Sequence, residues 1–178
     1  RGEIEPLCKL TRARAVLTVL AFKGTEHARL ATALTDGPQV LVLGHETPPG
    51  TRAFVPEPNP TDAARVQELE RTANVNADDI VTICWTSGTE GVPKGVPRSH
   101  NHWISGSLCH YDGAQIRRGD RLLNPFPLVN MAALGGCFMS WLRAAGTLIL
   151  HHPFELPVYL QQIATENPEY AIAPPAVL

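Results

Sequence analysis

Short apolar runs recur along this chain with helix-length segments between them, and that alternation restricts the fold more than any other property of the sequence. Residues 13–20, Gln39–Leu43, Ile80–Trp85, Arg121–Asn124, Thr147–Leu150 and 170–173 read as strands. Residues 25–34, 61–70, 99–113, 131–144 and 155–166 read as helices, with Thr25 as N-cap of the first and Thr61 or Asp62 as N-cap of the second. Residues 44–60, rich in Pro and Gly, read as a loop. The strands are continuous apolar runs rather than alternating ones, as expected where helices cover both faces of a sheet. The expectation is an α/β fold with a mainly parallel sheet flanked by helices.

Charge narrows the function classes. Only 18% of the 178 residues are charged, against about 25% in ordinary soluble domains. That shortfall fits a surface partly covered by further chain. The net charge of −2 and the lack of a basic stripe argue against a nucleic-acid partner. Cys8, Cys84, Cys109 and Cys137 are too far apart for a CxxC pair. Cys84, Cys109 and Cys137 have apolar sequence neighbours, so buried free thiols in a reducing cytoplasm are expected. The Arg1-Gly2-Glu3 start carries no signal-peptide pattern. Residues 122–142 are uncharged, but Asn124, Pro125, Pro127 and Asn130 interrupt them, so no membrane span is expected.

The chemistry concentrates in residues 86–95, directly after the Ile80–Trp85 strand. Gly88, Gly91 and Gly95 permit φ > 0 and let backbone N–H groups converge on an anion. Thr86, Ser87 and Thr89 add hydroxyl donors, and Lys94 adds a positive charge on a flexible stem. A loop at the carboxyl end of a strand sits where α/β sheets bind ligands. It is not a Walker A loop, because only Thr89 and Glu90 separate Gly88 from Gly91 and Lys94 is followed by Gly95. A surface turn fits the composition nearly as well; the clustered hydroxyls beside Lys94 tip the reading toward a phosphate.

The block Asp78-Asp79-Ile80-Val81-Thr82-Ile83-Cys84-Trp85-Thr86-Ser87-Gly88-Thr89-Glu90-Gly91-Val92-Pro93-Lys94-Gly95-Val96 resembles the signature of the adenylate-forming superfamily. That group includes acyl-CoA synthetases, nonribosomal-peptide adenylation domains and luciferases. Glu90 departs from the family's usual Thr, in a form that resembles a branch of acid–CoA ligases acting on cyclic or other carboxylic acids. A carboxylate there is unfavourable beside phosphates unless it turns away or meets magnesium. Arg98-Ser99-His100 is similar to the family's Ser/Thr-His after the loop, with His102 in place of a usual Asn. Gly119-Asp120-Arg121-Leu122-Leu123 resembles the approach to the next motif. Pro127-Leu128-Val129-Asn130-Met131-Ala132-Ala133-Leu134 resembles a stretch bordering the acyl pocket, with Asn130 in place of a usual His and Ala133 in place of a Gly. The 142–150 segment and Pro174-Pro175 continue the similarity, which weakens before Asp78.

The resemblance implies an internal segment, residues 1–178, of a large N-terminal adenylation domain. The family's later adenine-binding stretch, its ribose-binding Asp and the mobile C-terminal domain with its catalytic Lys have no counterpart in this sequence. In the intact enzyme it implies ATP with Mg2+, a carboxylic acid and coenzyme A, acting through an acyl-adenylate. The ATP phosphates would meet Thr86, Ser87, Gly88, Thr89, Glu90, Gly91 and Lys94, with Asn130 at the acyl-pocket border. The competing readings are an inactive nucleotide-binding or scaffold segment and a P-loop-like ATPase. His100, His102, Cys109 and His110 read as a polar helix face rather than a metal site, and His151-His152 as an exposed strand end. Ser87 has no His or acid partner at hydrolase spacing. Self-association through exposed apolar surface is expected of the segment alone.

Overall fold

The computed structural model describes residues 4–34, 37–57, 59–86 and 93–173. The chain packs as two compact units, residues 1–72 and 73–178.

The first unit holds α1 (Ile4–Thr11), β1 (Ala15–Val19), α2 (His27–Thr32), β2 (Gln39–Leu43), β3 (Arg52–Phe54) and most of α3 (Asp62–Ala73). Its three strands pair in parallel in the order β1-β2-β3. Parallel neighbours need a crossover, and α2 provides it between β1 and β2. Ala28 and Ala31 on α2 pack on Val40 and Val42, with Val16 at the edge of the cluster. Small residues on the helix bring its backbone close to the sheet. The opposite face is open, with Leu17 58% exposed.

Local chemistry explains three departures in this unit. Thr25 does not cap α2: Glu26 occupies the N-cap and makes no side-chain cap bond. Thr25 instead exchanges backbone bonds with Phe22. At α3 the turn belongs to Asn59, whose Oδ1 accepts from the Thr61 amide at 3.0 Å and its hydroxyl at 2.9 Å. β3 lies inside the expected loop; three residues without an apolar run form a strand because β2 offers a free edge.

The second unit holds β4 (Ile80–Trp85), β5 (Gly95–Ser99), α4 (His100–Gly113), β6 (Arg121–Asn124), a π-helix (Ala132–Phe138), α5 (Met139–Ala144), β7 (Thr147–Leu150), α6 (Leu156–Glu166) and β8 (Tyr170–Ala171). β4 and β5 form an antiparallel hairpin. β6 is the centre of a parallel sheet ordered β7-β6-β8. Its successive residues face opposite sides. Leu122 packs with Ile116, Cys137 and Ala144 on one side. Leu123 packs with Ile149 and Tyr159 on the other. Double coverage is thus realised at β6, whereas β4 keeps Ile80 and Val81 55% and 47% exposed.

The expected 131–144 helix is two helices of different pitch. The Met139 amide reaches back to the Leu134 carbonyl, five residues away, and only then does the chain tighten into α5. α5 ends at Ala145, left-handed at φ 49°. Gly146 follows in contact with the turn before β6: a Cβ on it would stand 1.9 Å from the Asp120 carbonyl oxygen. The four cysteines are free thiols, but Cys109 is exposed and only Cys137 is buried. Cys109 falls on the outer face of α4, which its apolar sequence neighbours do not reveal. His151 is buried rather than exposed, and its Nε2 accepts the Glu155 amide at 2.8 Å. No helix among the described residues is long and apolar enough to cross a membrane. Pro174 and Pro175 lie outside the described residues.

Candidate functional site

The hairpin β4–β5 frames the expected phosphate loop. Ser87, Gly88, Thr89, Glu90 and Gly91 lie outside the described residues; Thr86 and Lys94 stand at the two ends of the segment. Those ends are tied together twice. The Thr86 amide donates to the Lys94 carbonyl at 3.0 Å, and the Lys94 amide donates to Thr86 Oγ1 at 2.9 Å. Thr86 therefore uses its hydroxyl oxygen as an acceptor, which leaves the group a donor by chemistry. Lys94 is exposed. Gly95 opens β5 against Trp85, and a Cβ there would stand 2.9 Å from Ile83 Cγ2 and 3.0 Å from Trp85 Cη2. Glycine is what lets the Trp85 ring lie over the hairpin base.

Three devices fix this hairpin to α4. Asp79 accepts from the Asn76 amide at 2.8 Å, forming the turn that admits β4, and Asp78 accepts from Asn101 Nδ2 at 2.8 Å. The paired aspartates thus build the strand entry, as their position implies. Ser99, the last residue of β5, is also the N-cap of α4: its Oγ accepts from the His102 amide at 3.3 Å, while its own amide donates to His102 Nδ1 at 3.1 Å. That reciprocal pair is a capping box with His at N3 instead of Glu or Gln. His102 is thereby a helix-start residue. The third device is Trp103, 6% exposed, whose indole N–H donates to Thr82 Oγ1 on β4 at 3.0 Å.

Asn130, the expected acyl-pocket border, lies two residues before the π-helix. Its Oδ1 accepts from the Ala132 amide at 2.8 Å, and its backbone carbonyl accepts from Leu134 at 2.8 Å. Its residue is exposed, next to Val129 at 91% exposure. α4 packs on both the π-helix and α5. Gly135 faces Trp103, and Gly136 faces the His110 ring at 3.5 Å from where a Cβ would be. Sequence reasoning missed β5, His102 as a cap and Trp103 as a bridge; the Ser99-to-His102 spacing of three was the available clue. Among the described residues no group of three or more His, Cys, Asp or Glu side chains is placed to hold a metal.

Burial sets the acid–base character of the nearby core. The Cys137 thiol is pushed up to about 12 by desolvation. Tyr170 is raised by burial first and by the neighbouring Cys137 second.

The fold is thus an α/β segment whose β4–β5 hairpin is closed by Thr86 and Lys94. The family described as AMP-binding enzyme matches residues 1–178, and this chain belongs to it. The chain is 26% identical over 184 residues to a 4-coumarate–CoA ligase of Pinus taeda, covering 99% of this chain and 32% of that protein. It is 30% identical over 117 residues to 4-coumarate–CoA ligase 3 of Oryza sativa subsp. japonica, covering 63% of this chain and 21% of the relative. It is 34% identical over 109 residues to the long-chain-fatty-acid–CoA ligase FadD13 of Mycobacterium tuberculosis, covering 61% and 22%. The chain thus spans only a fifth to a third of these relatives. Among solved structures, a long-chain-fatty-acid CoA ligase from Rhodopseudomonas palustris shares the fold, with TM-score 0.74, 16% identity and coverage of 99% of this chain and 42% of that one.

Proposed function

We propose that this chain is an internal segment of the large N-terminal domain of an AMP-forming acid–CoA ligase. The hairpin mouth is the observation that carries the reading. Two internal hydrogen bonds hold the Lys94 backbone beside Thr86, which puts a residue with a hydroxyl and one with an ammonium at the two ends of the glycine-rich segment. Those donors suit the β- and γ-phosphates of ATP. In the parent enzyme a carboxylate attacks the α-phosphorus, the bond to the bridging oxygen breaks, and acyl-AMP and pyrophosphate form. The thiol of coenzyme A then takes the acyl group and AMP leaves. Lys94 and the loop stabilise the charge that grows on the leaving pyrophosphate, by position and electrostatics. Ser87, Gly88, Thr89, Glu90 and Gly91 complete that loop in this reading, and Mg2+ enters with the nucleotide to neutralise its phosphates. Asn130 borders the acyl side. The relatives' names span an aromatic acid and fatty acids, which supports a carboxylic acid without choosing one. A cytoplasmic setting agrees with four free thiols.

ATP–pyrophosphate exchange dependent on a carboxylic acid tests the reading in the full-length protein. Lys94→Ala is expected to slow exchange about 100-fold, on the scale of removing one transition-state donor. Unchanged exchange in that variant refutes the assignment. The 178-residue chain alone exposes Leu17, Ile80 and Leu160 at 58%, 55% and 54%. It is expected to self-associate, and a clean monomer in sedimentation at high concentration would overturn that.

A further inference from the structure

We propose that Trp103 is a positioning residue for the reaction, holding the strand that enters the phosphate hairpin in register with the π-helix that follows Asn130. The proposal rests on the reading of the site given above. A buried indole needs a partner for its N–H, and many would serve. Here the partner is Thr82 Oγ1, at 3.0 Å. Strand alternation puts Thr82, Cys84 and Thr86 in one side-chain row. Contact along that row is present, with Thr82 Oγ1 3.8 Å from Cys84 Sγ. At its far end Thr86 Oγ1 holds the Lys94 amide at 2.9 Å. β4 therefore leads from the indole's acceptor, Thr82, to Thr86, the residue just past its end that holds the Lys94 amide.

The other side of the indole meets the π-helix. A Cβ on Gly135 would stand 3.3 Å from Trp103 Cζ3, closer than ordinary packing allows. Gly135 lies five residues beyond Asn130, in the helix whose first amide, Ala132, donates to Asn130 Oδ1. One rigid side chain thus touches both the strand that leads to the phosphate end and the helix that follows Asn130. α4 cannot decouple them, because the Ser99–His102 capping box joins it directly to β5.

The test uses the full-length enzyme and ATP–pyrophosphate exchange. 4-Coumaric acid and long-chain fatty acids are screened first, and the best is kept. Thr82→Val keeps the shape of the side chain and removes the acceptor; Trp103→Phe keeps a ring and removes the donor. Each is expected to raise KM for ATP about fivefold, the scale of one hydrogen bond, with kcat within about twofold of wild type. The double variant is expected to be no worse than either single one, because both remove the same bond. Gly135→Ala, which presses the indole from the acyl side, is expected to raise KM for ATP and for the acid together. A purely structural tryptophan predicts lower Tm with both KM values unchanged, and that result overturns the proposal, as does additivity of the two single variants. If one variant fails to fold, the other and Gly135→Ala decide. A wild-type enzyme without exchange on any acid brings down the functional reading, and the positioning role with it. Exchange in the wild type with unmoved KM values in the variants brings down the positioning role alone.

Discussion

Replacing Gly146 by Ala should be among the most damaging single-methyl changes this fold can receive. The added Cβ would lie 1.9 Å from the Asp120 carbonyl oxygen and 2.9 Å from the carbonyl carbons of Asp120 and Gly119. Those atoms are backbone, so no side chain can swing aside. Relief requires the Gly119–Asp120 turn and the start of β7 to separate by more than an ångström. Two hydrogen bonds span that junction, Gly119 N–H to Ala144 O at 2.9 Å and Thr147 N–H to Asp120 O at 3.1 Å, and Trp141 Nε1–H to Gly146 O at 3.0 Å holds Gly146 itself. Losing two of them at about 1 kcal/mol each, with residual strain of about 1 kcal/mol, gives a loss near 3 kcal/mol. Urea unfolding of the full-length enzyme, followed by tryptophan emission, reads it as a lower midpoint and an early red shift from Trp141. Two other glycines are controls. Gly119 has φ +90° with open space around its Cβ position, so Gly119→Ala meets only backbone strain, costing about 1–2 kcal/mol. Gly106 lies within α4 with nothing near, so Gly106→Ala should stabilise by about 0.5–1 kcal/mol. A Gly146→Ala protein within about 0.5 kcal/mol of wild type would refute the reasoning, since a contact of that kind cannot be silent if β6 and β7 pair as described.

Other consequences are as direct. Iodoacetamide at neutral pH should label exposed Cys109 within minutes and leave Cys137 intact until unfolding, because burial pushes that thiol up to about 12; early labelling at Cys137, seen by peptide mass, would contradict the packing. Ser99→Ala removes the acceptor of the capping box and should cost about 1 kcal/mol in urea unfolding, with helix loss visible by circular dichroism. The Glu169 carboxyl is lowered, chiefly by the Arg121 amide that donates to it at 2.7 Å. A group lowered by folding stabilises the protein above its unfolded-state value, and that contribution fades as pH falls through its folded-state value. Glu169→Gln should therefore flatten the acid limb of Tm against pH, leaving the neutral and alkaline range parallel to wild type.

Four of the six expected strands were legible to the residue, Gln39–Leu43, Ile80–Trp85, Arg121–Asn124 and Thr147–Leu150, while the expected 13–20 and 170–173 strands are shorter, Ala15–Val19 and Tyr170–Ala171. Family membership was legible too, from the block after Asp78. What escaped has a common cause. β5 reads Gly-Val-Pro-Arg-Ser and has no strand pattern of its own; it exists because β4 supplies the pairing edge. β3 owes its form to β2 in the same way. α1 carries Pro6 in its first turn, where proline is tolerated, and that residue masks an otherwise helical stretch. The π-helix needs an extra residue per turn, which leaves no mark in apolar spacing. At the site, Thr86 and Lys94 were recognisable as donors, but their mutual bonds depend on a hairpin closed by a strand the sequence hides. Cys109 and His151 were misread because two neighbours in sequence say little about the neighbours in space.

The order β7-β6-β8 carries a consequence for how this protein is made. The central strand leaves the ribosome before either of its partners. Arg121 must wait for Glu169, 48 residues later, before its amide is satisfied. At a synthesis rate of about 5–20 residues per second, that interval is roughly 2–10 seconds. Until β7 has been made, Leu122 and Leu123, which end with no exposed surface at all, have no strand to pair with. A nascent chain paused before the end of β7 would therefore present the stickiest strand of the unit unpaired, and a trigger-type chaperone should crosslink there first.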